Sequence, residues 1–148
     1  MAATAPKRLL IVDDEEDLLF MAGLAAESTG RFVVEKARDG AEGLVKARRF
    51  RPDVAVIDGI MPKVDGYELC RRLRADSRMK SLPIVILSAG EPVRGEALAL
   101  AAGADRFVRK PYDQKELMQL LLTLRRGPKA KRGGPKKSGG ASGIRTRE

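Results

Sequence analysis

Five short apolar runs alternate with five helix-like patterns along most of this chain. The runs lie at 8–13, 32–37, 54–58, 83–88 and 106–109, and the helix patterns lie at 15–29, 40–50, 66–75, 93–102 and 114–126. Strands that alternate with helices predict βαβ units and a parallel sheet, because each crossover returns the chain in the same direction. Right-handed crossovers place the helices on both faces. We therefore expect an α/β fold with a five-stranded parallel sheet.

The composition of the runs predicts where each strand lies in that sheet. The runs at 54–57 and 84–87 are apolar throughout, which is typical of strands buried on both faces. The run at 32–37 contains Glu35 and Lys36. We place that strand at an edge, where charged side chains discourage the addition of further strands.

Side-chain chemistry marks the predicted helix ends. An aspartate followed three residues later by a glutamate fits a capping box, in which the aspartate accepts from a free amide and the glutamate reaches back. The pattern occurs at Asp39–Glu42, Asp65–Glu68 and Asp113–Glu116. Gly30 and Gly103 stand where helices end.

Length and composition exclude several classes of protein. The 148 residues favour one domain, and no apolar run approaches the ~20 residues that span a bilayer, so we expect no membrane insertion. The single cysteine, Cys70, allows no internal disulfide, which is typical of a cytoplasmic protein. We expect the Cys70 side chain to be a small buried hydrophobe. The chain contains no histidine, which excludes histidine-based catalysis and most zinc sites.

Positive charge is concentrated at the end of the chain. The formal net charge is +9, and residues 127–148 contain seven basic residues and one acid. This segment lacks apolar periodicity, so we expect disorder. The chain then divides into a leader (1–6), a folded domain (7–126) and a basic tail (127–148). The tail is either a solvated end or a weak, non-specific tether to nucleic acid or another polyanion.

Polar side chains stand at the ends of four of the predicted strands. Asp13 and Asp14 close the first run, Asp58 closes the third, Ser88 closes the fourth, and Lys110 follows the fifth. Because the carboxyl ends of parallel strands gather at one edge, where ligands bind, these residues predict a site.

The residue types at this edge indicate phosphoryl chemistry. Three crowded carboxylates repel one another unless some are protonated or a cation lies among them. Mg²⁺ suits an all-oxygen site. Lys110 and Ser88 can hold a tetrahedral dianion, and one carboxylate remains free to attack phosphorus.

Residues 7–126 resemble the response-regulator receiver domain of two-component signalling. The matching residues are Asp13-Asp14, Asp58-Gly-Ile-Met-Pro62-Lys-Val-Asp65-Gly66, Ser88-Ala89, Gly103-Ala104-Asp105, Phe107 and Lys110-Pro111. The resemblance implies a flavodoxin-like, doubly wound sheet of strand order 2-1-3-4-5. It also implies a stand-alone receiver that takes a phosphoryl group from a histidine kinase or a histidine phosphotransfer protein.

The resemblance also implies a role for each acidic residue. Asp58 is the implied phosphoacceptor. Asp14, Asp58 and the backbone carbonyl of Ile60 are the implied Mg²⁺ ligands, and Asp13 would act through metal-bound water. The backbones of Ile60 and Ala89 would contact the phosphoryl group.

Further roles concern the switch between two conformations. Lys110 is the implied ion-pair partner of the phosphoryl group, with a cis bond to Pro111. Ser88 is the implied switch hydroxyl. Phe107 is the implied aromatic switch, facing out without phosphate and in with it. Output would pass through the face formed by the fourth helix, the fifth strand and the fifth helix.

Three positions depart from the pattern of the family. Gly59 stands where a larger apolar residue is usual. Ile60 and Gly90 occupy two variable positions beside the site, and neither side chain can orient an attacking water by hydrogen bonding. We therefore expect a long-lived acyl phosphate.

Other functions remain open at this stage. An aspartyl-phosphate phosphohydrolase of the haloacid-dehalogenase type needs an acid two residues after its nucleophile, where this chain has Ile60, so it is disfavoured. A receiver that is not phosphorylated is a second alternative. A regulator tethered to nucleic acid by its tail is a third, and the lack of a helix-turn-helix pattern after residue 126 argues against sequence-specific reading. We expect a signalling switch, with chemistry limited to its own phosphorylation and slow autodephosphorylation.

Overall fold

Strands and helices alternate along the computed structural model, which describes residues 5–61, 64–90, 92–126 and 144–146. In chain order they are β1 (Lys7–Val12), α1 (Glu16–Ser28), β2 (Phe32–Ala37), α2 (Gly40–Phe50), β3 (Val54–Asp58), α3 (Gly66–Ala75), β4 (Ile84–Ser88), α4 (Pro92–Ala102), β5 (Arg106–Arg109), α5 (Gln114–Thr123) and β6 (Ile144–Thr146). The five predicted strand–helix pairs are confirmed.

The strands form one sheet in the order β2-β1-β3-β4-β5-β6. The first five strands are parallel, which confirms the order 2-1-3-4-5 and places β2 at an edge as predicted. The register pairs Val12 with Ile57, Asp58 with Leu87 and Ser88 with Arg109. It therefore brings the carboxyl ends of β1, β3, β4 and β5 to one edge of the sheet.

The sixth strand corrects the expectation of a wholly disordered tail. Residues 144–146 pair antiparallel with β5, with Ile144 opposite Val108 and Thr146 opposite Arg106. β5 would otherwise be an edge strand with free backbone groups, and two of the three added residues are β-branched. The rest of the tail, 127–143 and 147–148, lies outside the described residues, as do residues 1–4 of the leader.

Two apolar layers cover the sheet. On one face, Leu10, Ile57 and Ile86 pack with residues of α2, α3 and α4. On the other face, Leu9 and Val56 pack with residues of α1 and α5. Alternate residues of each strand therefore enter opposite cores, which is the arrangement of a doubly wound sheet. Cys70 lies in the first of these layers and is buried, as predicted.

The predicted helix caps are confirmed in their first half. The carboxylates of three aspartates accept from the backbone N–H of the residue three positions later, at 2.8 to 3.1 Å. These pairs are Asp39–Glu42, Asp65–Glu68 and Asp113–Glu116. Each bond satisfies one of the amides that a helix start leaves without a partner.

The returning half of the capping box is wrong at two of these helices. The Glu42 carboxylate accepts from the backbone N–H of Arg38 instead of Asp39, at 2.6 Å. The Glu68 carboxylate forms ion pairs with Arg71 and Arg72 on the next turn. Charge-assisted partners on the same helix face draw this glutamate away from the cap.

The last helix ends at Thr123, three residues before its predicted end. Leu124 is extended, with φ −77° and ψ 137°. The Lys7 ammonium donates to the carbonyls of Leu121 and Leu122 at 3.1 Å, and also to that of Leu124. A lysine from β1 thus serves the free carbonyls at the end of α5, which the local sequence does not show.

A buried ion pair fastens α3 to the loop that precedes β5. The guanidinium of Arg74 donates to Asp105, which is 1% exposed, at 2.9 Å. The same carboxylate oxygen accepts from the backbone N–H of Ile84 at 2.9 Å. Arg74 also donates to the carbonyls of Gly103 and Leu82. One side chain on α3 therefore joins two connections, the one between α3 and β4 and the one between α4 and β5.

Replacing Arg74 by alanine should lower the free energy of unfolding by about 3–5 kcal/mol, because it leaves the buried Asp105 carboxylate without its counter-ion. The matched control is Arg71→Ala, which removes an exposed pair with Glu68 and should cost no more than about 1 kcal/mol. Urea unfolding of both variants measures the difference. Equal losses of unfolding free energy in the two variants would show that the buried ion pair contributes no more to stability than the exposed one.

Candidate functional site

The parallel register brings the predicted polar groups together at the carboxyl edge of the sheet. Asp13 and Asp14 follow β1, Asp58 ends β3, Ser88 ends β4 and Lys110 follows β5. The backbone N–H of Lys110 donates to the Ser88 carbonyl at 2.9 Å. This bond extends the pairing of β4 and β5 by one residue and fixes where the lysine side chain starts.

One ammonium group lies between two buried carboxylates. Lys110 Nζ is 3.5 Å from an oxygen of Asp13 and 3.4 Å from an oxygen of Asp58. The two aspartates are only 4% and 5% exposed. Burial of charges at this depth is costly unless they are paired, so the lysine stabilises both acids at once.

The pKa values show that this pairing is incomplete. Burial raises the pKa of Asp58 to about 6, and the charge of Asp13 acts in the same direction. The charge of Lys110 and a hydrogen bond from the backbone N–H of Ile60 oppose this increase. Burial works to lower the pKa of Lys110, but Asp58 and Asp13 outweigh it, so its pKa lies above the ordinary value. The lysine stays charged, and the carboxylates together carry more negative charge than it can balance.

The three carboxylates form a set that fits a divalent cation. Asp13, Asp14 and Asp58 each offer one oxygen, and these oxygens lie within 4.8 Å of one another. Asp13 and Asp58 are buried and Asp14 is exposed, so the set opens to solvent on one side. Mg²⁺ prefers a few carboxylate oxygens and several retained waters, which this arrangement permits. A cation here would also oppose burial and the charge of Asp13, which together raise the pKa of Asp58.

The loop after Asp58 folds tightly onto the start of α3. The N–H of Gly66 donates to the carbonyl of Gly59 at 3.1 Å. A Cβ atom at Gly66 would overlap the carbonyl oxygen of Asp58, so only glycine allows this approach. The start of α3 therefore packs directly against the backbone of Asp58 and Gly59.

Tyr67 explains the small residue at Gly59 and was missed by the sequence reasoning. A Cβ atom at Gly59 would lie 2.7 Å from the hydroxyl oxygen of Tyr67, which is buried. The aromatic ring fills the space that a larger side chain at Gly59 would need. The sequence signal is a glycine directly after the aspartate together with an aromatic residue in the first turn of the next helix.

Ser88 and Phe107 both lie beneath the first turn of α4. Ser88 is buried, and its hydroxyl accepts from the N–H of Gly90 at 3.3 Å. Phe107 is 2% exposed, and a Cβ atom at Gly95 would lie 3.0 Å from its ring. The ring therefore has the inward orientation that the resemblance assigns to the phosphorylated form. The missing side chain at Gly95 gives the ring room there.

The remaining predicted residues also line this edge. Ile60 is 59% exposed and Ala89 is exposed, next to the ends of β3 and β4. The peptide bond between Lys110 and Pro111 is cis, as the resemblance implies. Pro62 of the matching motif lies outside the described residues.

This fold and this set of side chains define a receiver class of signalling proteins. The family model of the response regulator receiver domain matches residues 9–122. The chain belongs to this family, whose members act in two-component signal transduction. Within the described part of the chain, no helix has the length and apolar character to cross a bilayer.

Two curated relatives illustrate the similarity in sequence. The DNA-binding dual master transcriptional regulator RpaA of Synechocystis sp. is 33% identical over 119 residues, which cover 80% of this chain and 49% of that protein. The alkaline phosphatase synthesis transcriptional regulatory protein PhoP of Bacillus subtilis is 38% identical over 111 residues, covering 75% and 45% respectively. The chain spans about half the length of these relatives.

Solved structures show the same similarity in three dimensions. Chemotaxis protein CheY4 of Vibrio cholerae has a TM-score of 0.75 and 31% identity, covering 80% of this chain and 98% of that one. The receiver domain of Francisella response regulator 1452 has a TM-score of 0.72 and 29% identity, covering 78% and 93%. The match extends over nearly the whole of both solved chains.

Replacing Gly59 by alanine should lower the free energy of unfolding by about 1–3 kcal/mol, because the new methyl group overpacks against Tyr67. That cost should shrink in a Tyr67→Leu background, where the hydroxyl is gone. The control is Gly90→Ala, whose Cβ atom would meet Ile60 at an ordinary 3.4 Å. Thermal unfolding of the four variants tests the contact, and a cost of Gly59→Ala that persists unchanged without the tyrosine would refute it.

Proposed function

We propose that Asp58 accepts a phosphoryl group from the phosphohistidine of a sensor histidine kinase or a histidine phosphotransfer protein. The observation that carries the proposal is the position of the Lys110 ammonium, 3.4 Å from Asp58 and 3.5 Å from Asp13, beside a third carboxylate. A lysine charge and a cation-binding acid cluster are what an incoming phosphoryl dianion needs near its acceptor.

Its position at the end of β3 and its raised pKa favour Asp58 over Asp13 as the acceptor. One oxygen of Asp13 accepts from the backbone N–H of Glu15 at 2.9 Å, and the other lies against Lys110. Asp58 likewise contacts Lys110 and accepts from the backbone N–H of Ile60, so these contacts alone do not distinguish the two acids. Asp58 ends β3 and has a raised pKa, which is the mark of a carboxylate poorly stabilised as an anion and available for a new bond.

The transfer uses groups that the chain itself provides. A carboxylate oxygen of Asp58 attacks phosphorus, the phosphorus–nitrogen bond breaks, and its electron pair leaves on the imidazole nitrogen. Lys110 neutralises charge on the phosphoryl oxygens, and the Ser88 hydroxyl donates to one of them. The backbones of Ile60 and Ala89 lie beside the acceptor and complete the contacts.

The acidic cluster is the proposed Mg²⁺ site. Asp14, Asp58 and the carbonyl of Ile60 would hold the ion, with Asp13 acting through a bound water. When bound, Mg²⁺ supplies charge neutralisation for the phosphoryl oxygens during in-line transfer. The all-oxygen donor set, with its members within 4.8 Å, supports this choice of ion.

Output through the face of α4, β5 and α5 is the proposed consequence of phosphorylation. A Cβ atom at Gly95 would lie 3.7 Å from the Ser88 hydroxyl and 3.0 Å from the Phe107 ring. Any movement of Ser88 toward a phosphoryl group therefore changes the packing under the first turn of α4. A downstream protein that binds this face would sense the change.

The chemistry is proposed to end with slow autodephosphorylation. Ile60 and Gly90 flank the acceptor, and neither side chain can hold a water in line with phosphorus. The two relatives are named as transcriptional regulatory proteins, which supports a signalling role for this chain. We also propose a cytoplasmic location, since a single cysteine allows no internal disulfide.

Acetyl phosphate with Mg²⁺ should add one phosphoryl group to the wild-type chain, detectable by intact mass. Asp58→Asn removes the attacking oxygen while keeping the shape, so the added mass should disappear. Asp17→Asn, an exposed acid on α1, is the control and should be labelled as well as wild type. Labelling of the Asp58→Asn variant to the wild-type level would assign the acceptor elsewhere.

Mg²⁺ should raise the melting temperature of the unphosphorylated chain, because the ion binds the folded acid cluster and not the unfolded chain. At ten times its dissociation constant, the ion adds about 1.4 kcal/mol, which corresponds to roughly 4–6 °C. Asp14→Asn should reduce the shift, and Asp17→Asn should leave it unchanged. A melting temperature indifferent to millimolar Mg²⁺ would exclude the proposed metal site.

A further inference from the structure

Basic side chains collect at the amino edge of the sheet, at the opposite end of the strands from Asp58. They come from the starts of β1 and β2, the end of α2 and the segment after α5. We call this set the basic edge: Lys7, Arg8, Arg31, Arg49, Arg51, Arg125 and Arg126. All of its arginines are exposed. The carboxyl edge, by contrast, carries Asp13, Asp14 and Asp58.

Arg8 is held in place by neutral groups. Its guanidinium donates to the carbonyls of Phe50 and Arg51 and lies 4.7 Å from the centre of the Phe50 ring. The nearby Asp53 carboxylate accepts from the backbone N–H of Arg8 at 2.9 Å, not from its side chain. The guanidinium is thus positioned without losing its charge to a carboxylate, and it retains free N–H donors.

Arg126 is anchored in the same manner beside the next strands. Its guanidinium donates to the carbonyl of Pro52 at 2.9 Å and to the hydroxyl of Ser81 at 3.3 Å. Pro52 precedes β3 and Ser81 precedes β4. Backbone anchoring fixes the direction of a long side chain and reduces the entropy lost when a ligand binds.

The pKa of Lys7 reflects its burial and the positive charges around it. Burial lowers the pKa of Lys7, and the positive charges of Arg125 and Arg31 lower it further, against the opposing effect of Asp53. A like-charge effect of this kind requires the cations to lie close together. The amino edge is therefore a region of positive potential, with Asp53 too weak to cancel it.

The basic tail is attached to this edge. The chain leaves α5 through Arg125 and Arg126, and residues 127–148 add seven basic residues and one acid. The last described segment, Ile144–Thr146, pairs with β5, and Thr146 lies opposite Arg106 at the amino end of that strand.

We propose that the basic edge binds the phosphate backbone of nucleic acid without reading the base sequence. This goes beyond phosphorylation of Asp58, because the two sites lie at opposite ends of the strands. The arrangement favours a linear polyanion. Arg31 precedes β2, Arg8 lies in β1, and Arg51 precedes β3, so the cations follow neighbouring strands. Strands about 4.8 Å apart place such charges in a row, which matches a phosphate chain better than a flat lipid surface.

The test compares two full-length variants that change the net charge equally. Arg31→Glu with Arg125→Glu reverses two charges of the basic edge. The control, Arg71→Glu with Lys115→Glu, reverses two exposed charges on α3 and at the start of α5. Fluorescence anisotropy with a short labelled duplex DNA of arbitrary sequence is measured over a series of salt concentrations.

The wild-type affinity should fall linearly with salt on a log–log plot. Losing two phosphate contacts should lower the slope of the basic-edge variant by about 1.8 while the control keeps the wild-type slope. Arg31→Gln with Arg125→Gln repeats the test with milder changes. Acetyl phosphate labelling of Asp58 should stay at the wild-type value in all variants, which separates this proposal from the one on phosphorylation. Melting temperatures should stay within roughly 4 °C of wild type, because loss of the exposed Arg71–Glu68 pair in the control costs at most about 1 kcal/mol.

Several outcomes would overturn the proposal. Equal slopes for the basic-edge variant and wild type would assign binding to the tail alone. Equal losses in the basic-edge variant and the control would reduce the effect to net charge. Binding to phosphatidylserine vesicles without binding to DNA would assign the edge to a lipid surface. A strong preference for one DNA sequence would contradict recognition through the backbone.

Discussion

The contact of the Lys110 ammonium with two buried carboxylates is the interaction on which the site depends. Its partners come from β1 and β3, whereas the lysine follows β5, so the contact exists only when the sheet is assembled in parallel register. Two carboxylates at 4% and 5% exposure would otherwise carry an uncompensated desolvation cost. The excess negative charge that remains is what makes the site receptive to a cation and then to a phosphoryl group. The electrostatics of the site therefore depend directly on correct assembly of the sheet.

Features that depend on local chemistry could be predicted from the sequence. Asp58 and Ser88 end apolar runs, and a parallel sheet necessarily gathers such ends at one edge. The first half of each helix cap is likewise a matter of one side chain and an amide three residues away. The contact of Tyr67 with Gly59 was missed, because it joins a loop to a helix face and its sequence signal is only one glycine and one aromatic residue. The inward ring of Phe107 beneath Gly95 is equally a property of packing between elements.

The end of α5 and the added strand β6 show a second reason why the structure differs from the prediction made from the sequence. Apolar periodicity continues to Leu124, yet the helix ends at Thr123, where Lys7 from a distant strand takes up the free carbonyls. Three residues in a polar tail are too few to show the alternation of apolar and polar side chains that predicts a strand. Residues 144–146 form a strand because β5 would otherwise be an edge with free backbone groups. In both cases a distant partner outweighs a weak local preference.

The two charged edges of the sheet can operate independently through solvent and still be linked through the fold. Strands of five or six residues separate the edges by roughly 17–20 Å, about twice the ~8 Å screening length at physiological salt. A phosphoryl charge on Asp58 would therefore perturb the arginines of the opposite edge only weakly through its field. One structural route between them is β5, in which the Phe107 ring lies against Gly95 and residues 106–108 pair with β6. This route passes through the packing of α4 against β5, where the missing side chain at Gly95 leaves room for the Phe107 ring.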